Sequence, residues 1–153
     1  MKRIILILLF TPLISFGQVK YKDLMKIDSK DKFLKYMFDL GFSSLDGEVS
    51  YYYAFDPSYE NGDPLSTHFA LWQEETDTFF FQIVRNANND YDKIARKILK
   101  KCEFLKMVEV DNDAYACYDC PDSHDFIGIM VNDGSGIIVQ FIYEAWLSDF
   151  SEQ

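Results

Sequence analysis

The chain has 153 residues, of which 48% are hydrophobic and 17% are aromatic, and its formal net charge at pH 7 is -10. This much apolar material excludes a disordered chain and suits one compact domain. Acidic residues outnumber basic ones by 25 to 15, which argues against nucleic acid as a partner, because phosphate binding needs a basic surface.

The first 17 residues have the pattern of a secretory signal peptide. Two basic residues precede an apolar run, and the small residues Ser15 and Gly17 fit a cleavage site after Gly17. A membrane anchor is the alternative, but it needs about 20 apolar residues, and polar residues interrupt a shorter run here. We therefore expect residues 18–153 to form a single exported domain, in the periplasm or outside the cell, with no membrane span after cleavage.

The first half of the domain predicts one helix followed by strands. Apolar residues recur at helical spacing from Phe33 to Leu40, and Gly41 favours an end to the helix there. The segment Asp56–Pro64 holds two prolines and an Asn-Gly pair and is predicted to be a loop. Alternation and aromatic content predict three strands, at Glu48–Phe55, Thr67–Gln73 and Thr78–Arg85.

The second half repeats this order. Asn89 or Asp90 can cap a helix that runs to about Cys102. A basic stretch on this helix is predicted to be a solvated face, with an anionic-partner site as the alternative; it consists of Lys93, Arg96, Lys97, Lys100 and Lys101. Four strands follow, at Leu105–Val110, Ala114–Cys120, Phe126–Asn132 and Gly136–Tyr143.

The two halves, roughly residues 28–86 and 89–145, can be laid over one another, with Gln82 falling on Gln140. Two such units predict an α+β domain with a possible internal duplication, in which a curved antiparallel sheet carries two helices on one face. This layout resembles that of the β-lactamase inhibitor protein, whose two helix-and-sheet repeats form a concave binding surface. The resemblance is one of layout, and no functional residue is carried over from it.

Three cysteines lie close together in a chain that we expect to reach an oxidising compartment, so a disulfide is expected. If the hairpin turns about Asp111-Asn112, strand register brings Cys120 near Cys102 and places Cys117 opposite Lys106 on the other face. The predicted pair is Cys102 with Cys120, and Cys102 with Cys117 is the alternative.

The same cysteines also suggest two other chemistries. Cys117 and Cys120 have the C-x-x-C spacing of a thiol redox pair, although neighbouring acidic residues would oppose thiolate formation. Cys102, Cys117, Cys120 and His124 could instead supply the four ligands of a structural zinc site. A thiol redox or zinc protein is therefore the alternative function.

Aromatic residues in the strands predict a contact surface on the face of the sheet that the helices leave uncovered, at Tyr51, Tyr53, Trp72, Phe79 and Phe81. The competing interpretation is that these rings fill the core. No nucleophile motif, phosphate-binding glycine loop or cofactor signature is recognisable. The sequence thus favours a non-enzymatic domain of the bacterial cell envelope that needs no cofactor and binds a protein or a small ligand.

Overall fold

A computed structural model describes residues 18–45, 51–85, 90–110, 112–132 and 134–142. The signal peptide predicted for residues 1–17 lies outside the described residues. The helices are α1 (Tyr21–Leu24), α2 (Lys30–Leu40) and α3 (Asp90–Lys101). The first six strands are β1 (Phe42–Ser44), β2 (Tyr52–Phe55), β3 (Ser58–Glu60), β4 (Asp63–Leu65), β5 (His68–Gln73) and β6 (Thr78–Val84). The last four are β7 (Glu103–Val110), β8 (Asp113–Asp119), β9 (Phe126–Asn132) and β10 (Ser135–Phe141).

Eight of these strands form one antiparallel sheet in the order β1-β2-β5-β6-β10-β9-β8-β7. Four neighbouring strands come from each half of the chain, and the halves meet where β6 pairs with β10. Strands β3 and β4 form a separate small hairpin between β2 and β5. The described chain is therefore an α+β domain, as its sequence predicted.

The helices bury their apolar stripes against one face of this sheet. Helix α2 contributes Phe33 and Met37, and it ends at Gly41, whose positive φ of 77° suits a glycine. Helix α3 contributes Ile94 and Ile98 to the same core. We call this side of the sheet the helix side and the opposite side the second face.

The second face carries a smaller apolar cluster on strands β8 to β10. Its buried members are Tyr115, Cys117, Met130, Val139 and Phe141. Because side chains alternate along a strand, these residues are offset by one from the helix-side residues of the same strands. Each of these strands therefore carries apolar side chains on both faces.

Several short elements were not predicted. The segment before α2 contains the four-residue helix α1, and the residues after Gly41 form the three-residue strand β1. The predicted loop Asp56–Pro64 contains β3 and most of β4. These elements are too short for hydrophobic periodicity to indicate them. The predicted strand Glu48–Phe55 is described from Tyr52, since residues 46–50 lie outside the described ranges.

Candidate functional site

An apolar groove lies on the second face of the sheet, across β2, β5, β6 and β10. Its floor consists of two rows of side chains that cross neighbouring strands, because directly paired residues point to the same face. Tyr52 pairs with Leu71, which pairs with Phe80. Phe69 pairs with Gln82, which pairs with Ile137. Together with Ala70, these six residues surround a volume of about 290 Å³.

The groove is mainly apolar, with three aromatic rings, and it carries no formal charge at neutral pH. The rings of Tyr52 and Phe69 stack with centroids 5.8 Å apart and planes 21° apart. Partial burial raises the pKa of the Tyr52 phenol, so this group stays neutral at physiological pH. The Gln82 side chain is exposed and supplies an amide. These side chains suit an uncharged apolar or aromatic group, and they include no strong acid, base or nucleophile.

The rings that the sequence assigned to a contact surface lie elsewhere. Trp72, Phe79 and Phe81 are at most 2% exposed and belong to the main core on the helix side. Phe33 of α2 packs against Trp72 at 5.7 Å and against Tyr53 at 6.0 Å. The alternation of side chains along these strands was predicted correctly. The helices, however, cover the face that carries these rings and leave the opposite face uncovered. The accessible aromatic groove therefore uses neighbouring residues in place of these core rings.

Tyr51 and Tyr53 are half-buried and also pack against the helix-side core. The Nζ atom of Lys30 lies 4.6 Å from the centre of the Tyr51 ring and donates a hydrogen bond to its hydroxyl at 3.3 Å. A cation over an aromatic face stabilises that ring in place. These two tyrosines thus hold α2 against the sheet and do not line the groove.

A disulfide joins Cys102, directly after α3, to Cys120, directly after β8. This is the pair that strand register favoured. Cys117 pairs with Lys106 as expected. An irregularity between Phe104 and Lys106 then shifts the register by one residue, so that Glu103 faces Asp119.

Cys117 is the free cysteine, and its side chain lies in the buried cluster on the second face. Burial raises the pKa of its thiol to about 11, which keeps the thiol protonated and unreactive at neutral pH. Cys120 is bonded to Cys102 and belongs to the helix-side core, so the C-x-x-C pair does not act as a unit in this structure.

The alternative zinc site is not assembled. Two of its four proposed ligands, Cys102 and Cys120, are bonded to each other. His124 is exposed and lies 3.2 Å from Asp125. Within the described ranges, no group of three or more histidine, cysteine or acidic side chains is positioned to hold a metal ion.

A buried polar pair, which the sequence did not indicate, joins β5 to α3. His68 Nε2 lies 3.6 Å from Asp90 Oδ2, and Val19 donates its backbone N–H to the same oxygen at 3.2 Å. Thr67 Oγ1 is 2.9 Å from the other ring nitrogen of His68. Both side chains of the pair are at most 1% exposed, so a substrate has no access to them. The pair is structural, and a lone histidine in an alternating strand was its only sequence signal.

The basic stretch of α3 is largely engaged in local contacts. Lys101 forms an ion pair with Asp122 at 2.8 Å, Lys93 lies 3.6 Å from Asp90, and Arg96 donates to the Asp92 carbonyl. These contacts agree with a solvated helix face.

Comparisons of the chain with protein-family models, with curated proteins and with solved structures found no match. The layout resemblance to the β-lactamase inhibitor protein therefore carries no argument about function. In the part of the chain that the structure describes, no helix is both long and apolar enough to cross a membrane.

Proposed function

We propose that this protein is an exported, non-enzymatic binding domain of the bacterial cell envelope and that its contact site is the groove between Tyr52 and Ile137. The observation that carries the proposal is a neutral aromatic cleft that remains accessible on a sheet whose other face is covered by helices. Aromatic rings provide a large contact area at low entropic cost, which is why they are common in binding sites.

Three further observations support export and a binding role. The basic start, apolar run and small residues before Gln18 match a secretory signal. The Cys102–Cys120 disulfide is typical of proteins that fold in an oxidising compartment. The side chains that line the groove include no nucleophile paired with a base, which a hydrolase would need.

We also propose that the two halves arose by internal duplication. In the sheet order β1-β2-β5-β6-β10-β9-β8-β7, each strand of the first half has a counterpart at the same distance from the central β6–β10 pair. Helix α2 precedes the first set of strands, and α3 precedes the second. The test is to superimpose residues 30–84 on 90–141. Matching strands should overlay in the same order, and a failure to overlay would contradict a common origin.

The binding site can be tested with an uncharged aromatic dye, N-phenyl-1-naphthylamine, whose fluorescence increases in apolar surroundings. We expect saturable binding to the mature protein and about tenfold weaker binding after Leu71→Lys, because an ammonium group in the groove must lose hydration. The matched control is Leu65→Lys. Leu65 is an exposed leucine on β4, outside the groove, and its substitution should leave binding unchanged.

A protein partner can be sought with a photoreactive benzoylphenylalanine at Gln82, which lines the groove but is exposed enough to accept a larger side chain. The same group at Tyr59, which is 63% exposed on β3, is the control. We expect a cross-linked protein from envelope extract at position 82 alone, and excess dye should suppress it. The groove is not the contact site if the dye does not bind the protein, or if Leu71→Lys and Leu65→Lys weaken dye binding equally.

A further inference from the structure

The outermost strand of the second half, β7, is a long strand that is paired on one side. It spans eight residues and pairs with β8, while its other edge has no strand neighbour among the described residues. Strand β1, at the opposite edge of the sheet, has three residues. In an antiparallel ladder, alternate residues direct both backbone N–H and C=O away from the partner strand. The outer edge of β7 therefore presents a row of main-chain donors and acceptors.

This edge is also unusually apolar. Phe104 is 52% exposed and Met107 is 54% exposed, and both lie on the helix side because their partners on β8 are Tyr118 and Ala116. An exposed apolar edge strand is a ready template for the addition of another strand.

The irregularity between Phe104 and Lys106 disrupts one end of this edge, and such devices normally protect an edge strand from pairing. The following five residues, Lys106 to Val110, keep an unbroken register with β8. They form a regular platform for pairing.

The charges on β7 restrict what can pair with it. Glu109 lies two residues after Met107 and therefore on the same side of the sheet, where both are exposed. An antiparallel incoming strand would place one residue opposite Glu109 and, two residues later, another opposite Met107. Opposite charges and apolar pairs stabilise such cross-strand positions. The favoured segment therefore has a basic residue followed two positions later by an apolar one.

We propose that the outer edge of β7 accepts an extended segment of another polypeptide, which adds antiparallel to Met107–Val110 and carries a basic-x-apolar pattern facing the helix side. A second copy of β7 fits this edge less well. When two copies of a strand pair antiparallel about a two-fold axis, helix-side residues of one copy lie opposite helix-side residues of the other. The helix-side residues of β7 are Phe104, Met107 and Glu109, and none of them is a cation that could pair with Glu109. The proposal is independent of the groove, which lies on the other face of the sheet, on β2, β5, β6 and β10.

The test uses two fluorescein-labelled synthetic octapeptides of alternating threonine and valine. One carries a lysine two residues before a central valine, and the other carries a glutamate there. We expect the wild-type protein to bind the lysine peptide more tightly. The surface substitution Glu109→Lys should reverse the preference, because it exchanges an attractive for a repulsive cross-strand pair.

A pair of proline variants tests the main-chain contacts. The N–H groups of Met107 and Val108 point to opposite edges, so one of Met107→Pro and Val108→Pro removes an N–H from the outer edge and the other breaks the β7–β8 ladder. The outer-edge variant should keep the melting temperature and bind the lysine peptide about tenfold more weakly, since it loses a main-chain hydrogen bond and clashes with the incoming strand.

Three results would overturn the proposal. The first is an unchanged peptide preference after Glu109→Lys. The second is full binding by both proline variants while they remain folded. The third is a concentration-dependent dimer in sedimentation that Glu109→Lys disrupts, because a second copy would then occupy the edge.

Discussion

His68 Nε2 and Asp90 Oδ2 lie 3.6 Å apart in the core, although the two residues belong to different halves of the chain. Their separation exceeds a normal hydrogen-bond length, and neither His68 Nε2 nor Asp90 Oδ1 has a hydrogen-bond partner among the described residues. The rings of Phe42 and Phe55 flank the imidazole at 6.5 and 6.1 Å. The pair therefore links β5 to the start of α3 in surroundings that disfavour a charged histidine.

Acidification should destabilise the fold through His68. Burial lowers the pKa of this histidine below its usual value near 6.5, and the Asp90 carboxylate opposes this shift only in part. As the pH falls through about 6.5, the unfolded chain gains a proton that the folded state resists, so the free energy of unfolding decreases. Urea unfolding between pH 7.5 and 5.5 should show this decrease, by less than about 1.4 kcal/mol per pH unit. His68→Gln should flatten the dependence, while His124→Gln, at an exposed site, should preserve it; equal slopes in all three proteins would contradict this assignment.

Replacement of Asp90 by asparagine should weaken the connection between the N-terminal segment and α3. The buried carboxylate accepts the Val19 N–H and lies 3.6 Å from the Lys93 ammonium, and a neutral amide weakens both contacts. We expect a loss of about 1–3 kcal/mol in the free energy of unfolding. Asp92→Asn, two residues along the helix and more exposed, is the matched control and should change stability by less than about 0.5 kcal/mol. Similar losses in the two variants would show that the Asp90 contacts contribute little.

Removal of the disulfide should cost more than removal of the free cysteine. The bond closes a segment with a sequence separation of 18, for which the chain-entropy relation gives about 3 kcal/mol. The double variant Cys102→Ser with Cys120→Ser should lose roughly this amount in urea unfolding under non-reducing conditions. Cys117→Ala, the comparison variant, removes one buried sulfur and should cost about 1 kcal/mol. A double variant as stable as the wild type would exclude the bond as a source of stability.

Cys117 should resist alkylation in the native state. Its thiol is buried and its pKa is raised to about 11, so little thiolate forms at pH 8. Iodoacetamide followed by mass spectrometry should add no carbamidomethyl group to the native protein and one group in denaturant. Rapid native labelling would mean that the second face opens readily at β8.

Gly136 should not tolerate alanine. A Cβ atom at this position would lie 2.1 Å from the Tyr91 ring, which is buried and whose hydroxyl donates to the Met130 carbonyl at 3.1 Å. Gly136→Ala should therefore lower the free energy of unfolding by at least about 2 kcal/mol through overpacking. Gly134→Ala offers a comparison, because nothing lies within 4 Å there and its cost of about 1 kcal/mol comes from a positive φ of 83°. A smaller loss at Gly136 than at Gly134 would show that the ring can move aside.

Local patterns predicted the long elements of this fold well. Strand β9 has the predicted limits, and α2 ends at the glycine that sequence indicated. The choice of face was hard to predict, because Phe79, Phe80 and Phe81 are consecutive and each face of β6 therefore carries at least one aromatic ring. Only the position of α2 and α3 decides that Phe80 faces the groove while its neighbours enter the core.

The long-range contacts of the buried polar groups could not be predicted from the sequence either. Asp90 matched a helix cap, yet its carboxylate also accepts the N–H of Val19, 71 residues earlier. Gln140 aligned with Gln82, but it is buried and donates to the Ile27 carbonyl, while Gln82 is exposed. Two positions that match in the repeated sequence pattern therefore have different surroundings, and local sequence patterns cannot predict this difference.

The position of β10 has a consequence for biosynthesis. This strand, which ends at Phe141, is inserted between β6 and β9 and so occupies the middle of the sheet. A ribosome must therefore synthesise the chain past Phe141 before the two halves can join, and such non-local pairing slows folding. A translocation channel requires an unfolded chain, so the late joining of the two halves would suit the export proposed above.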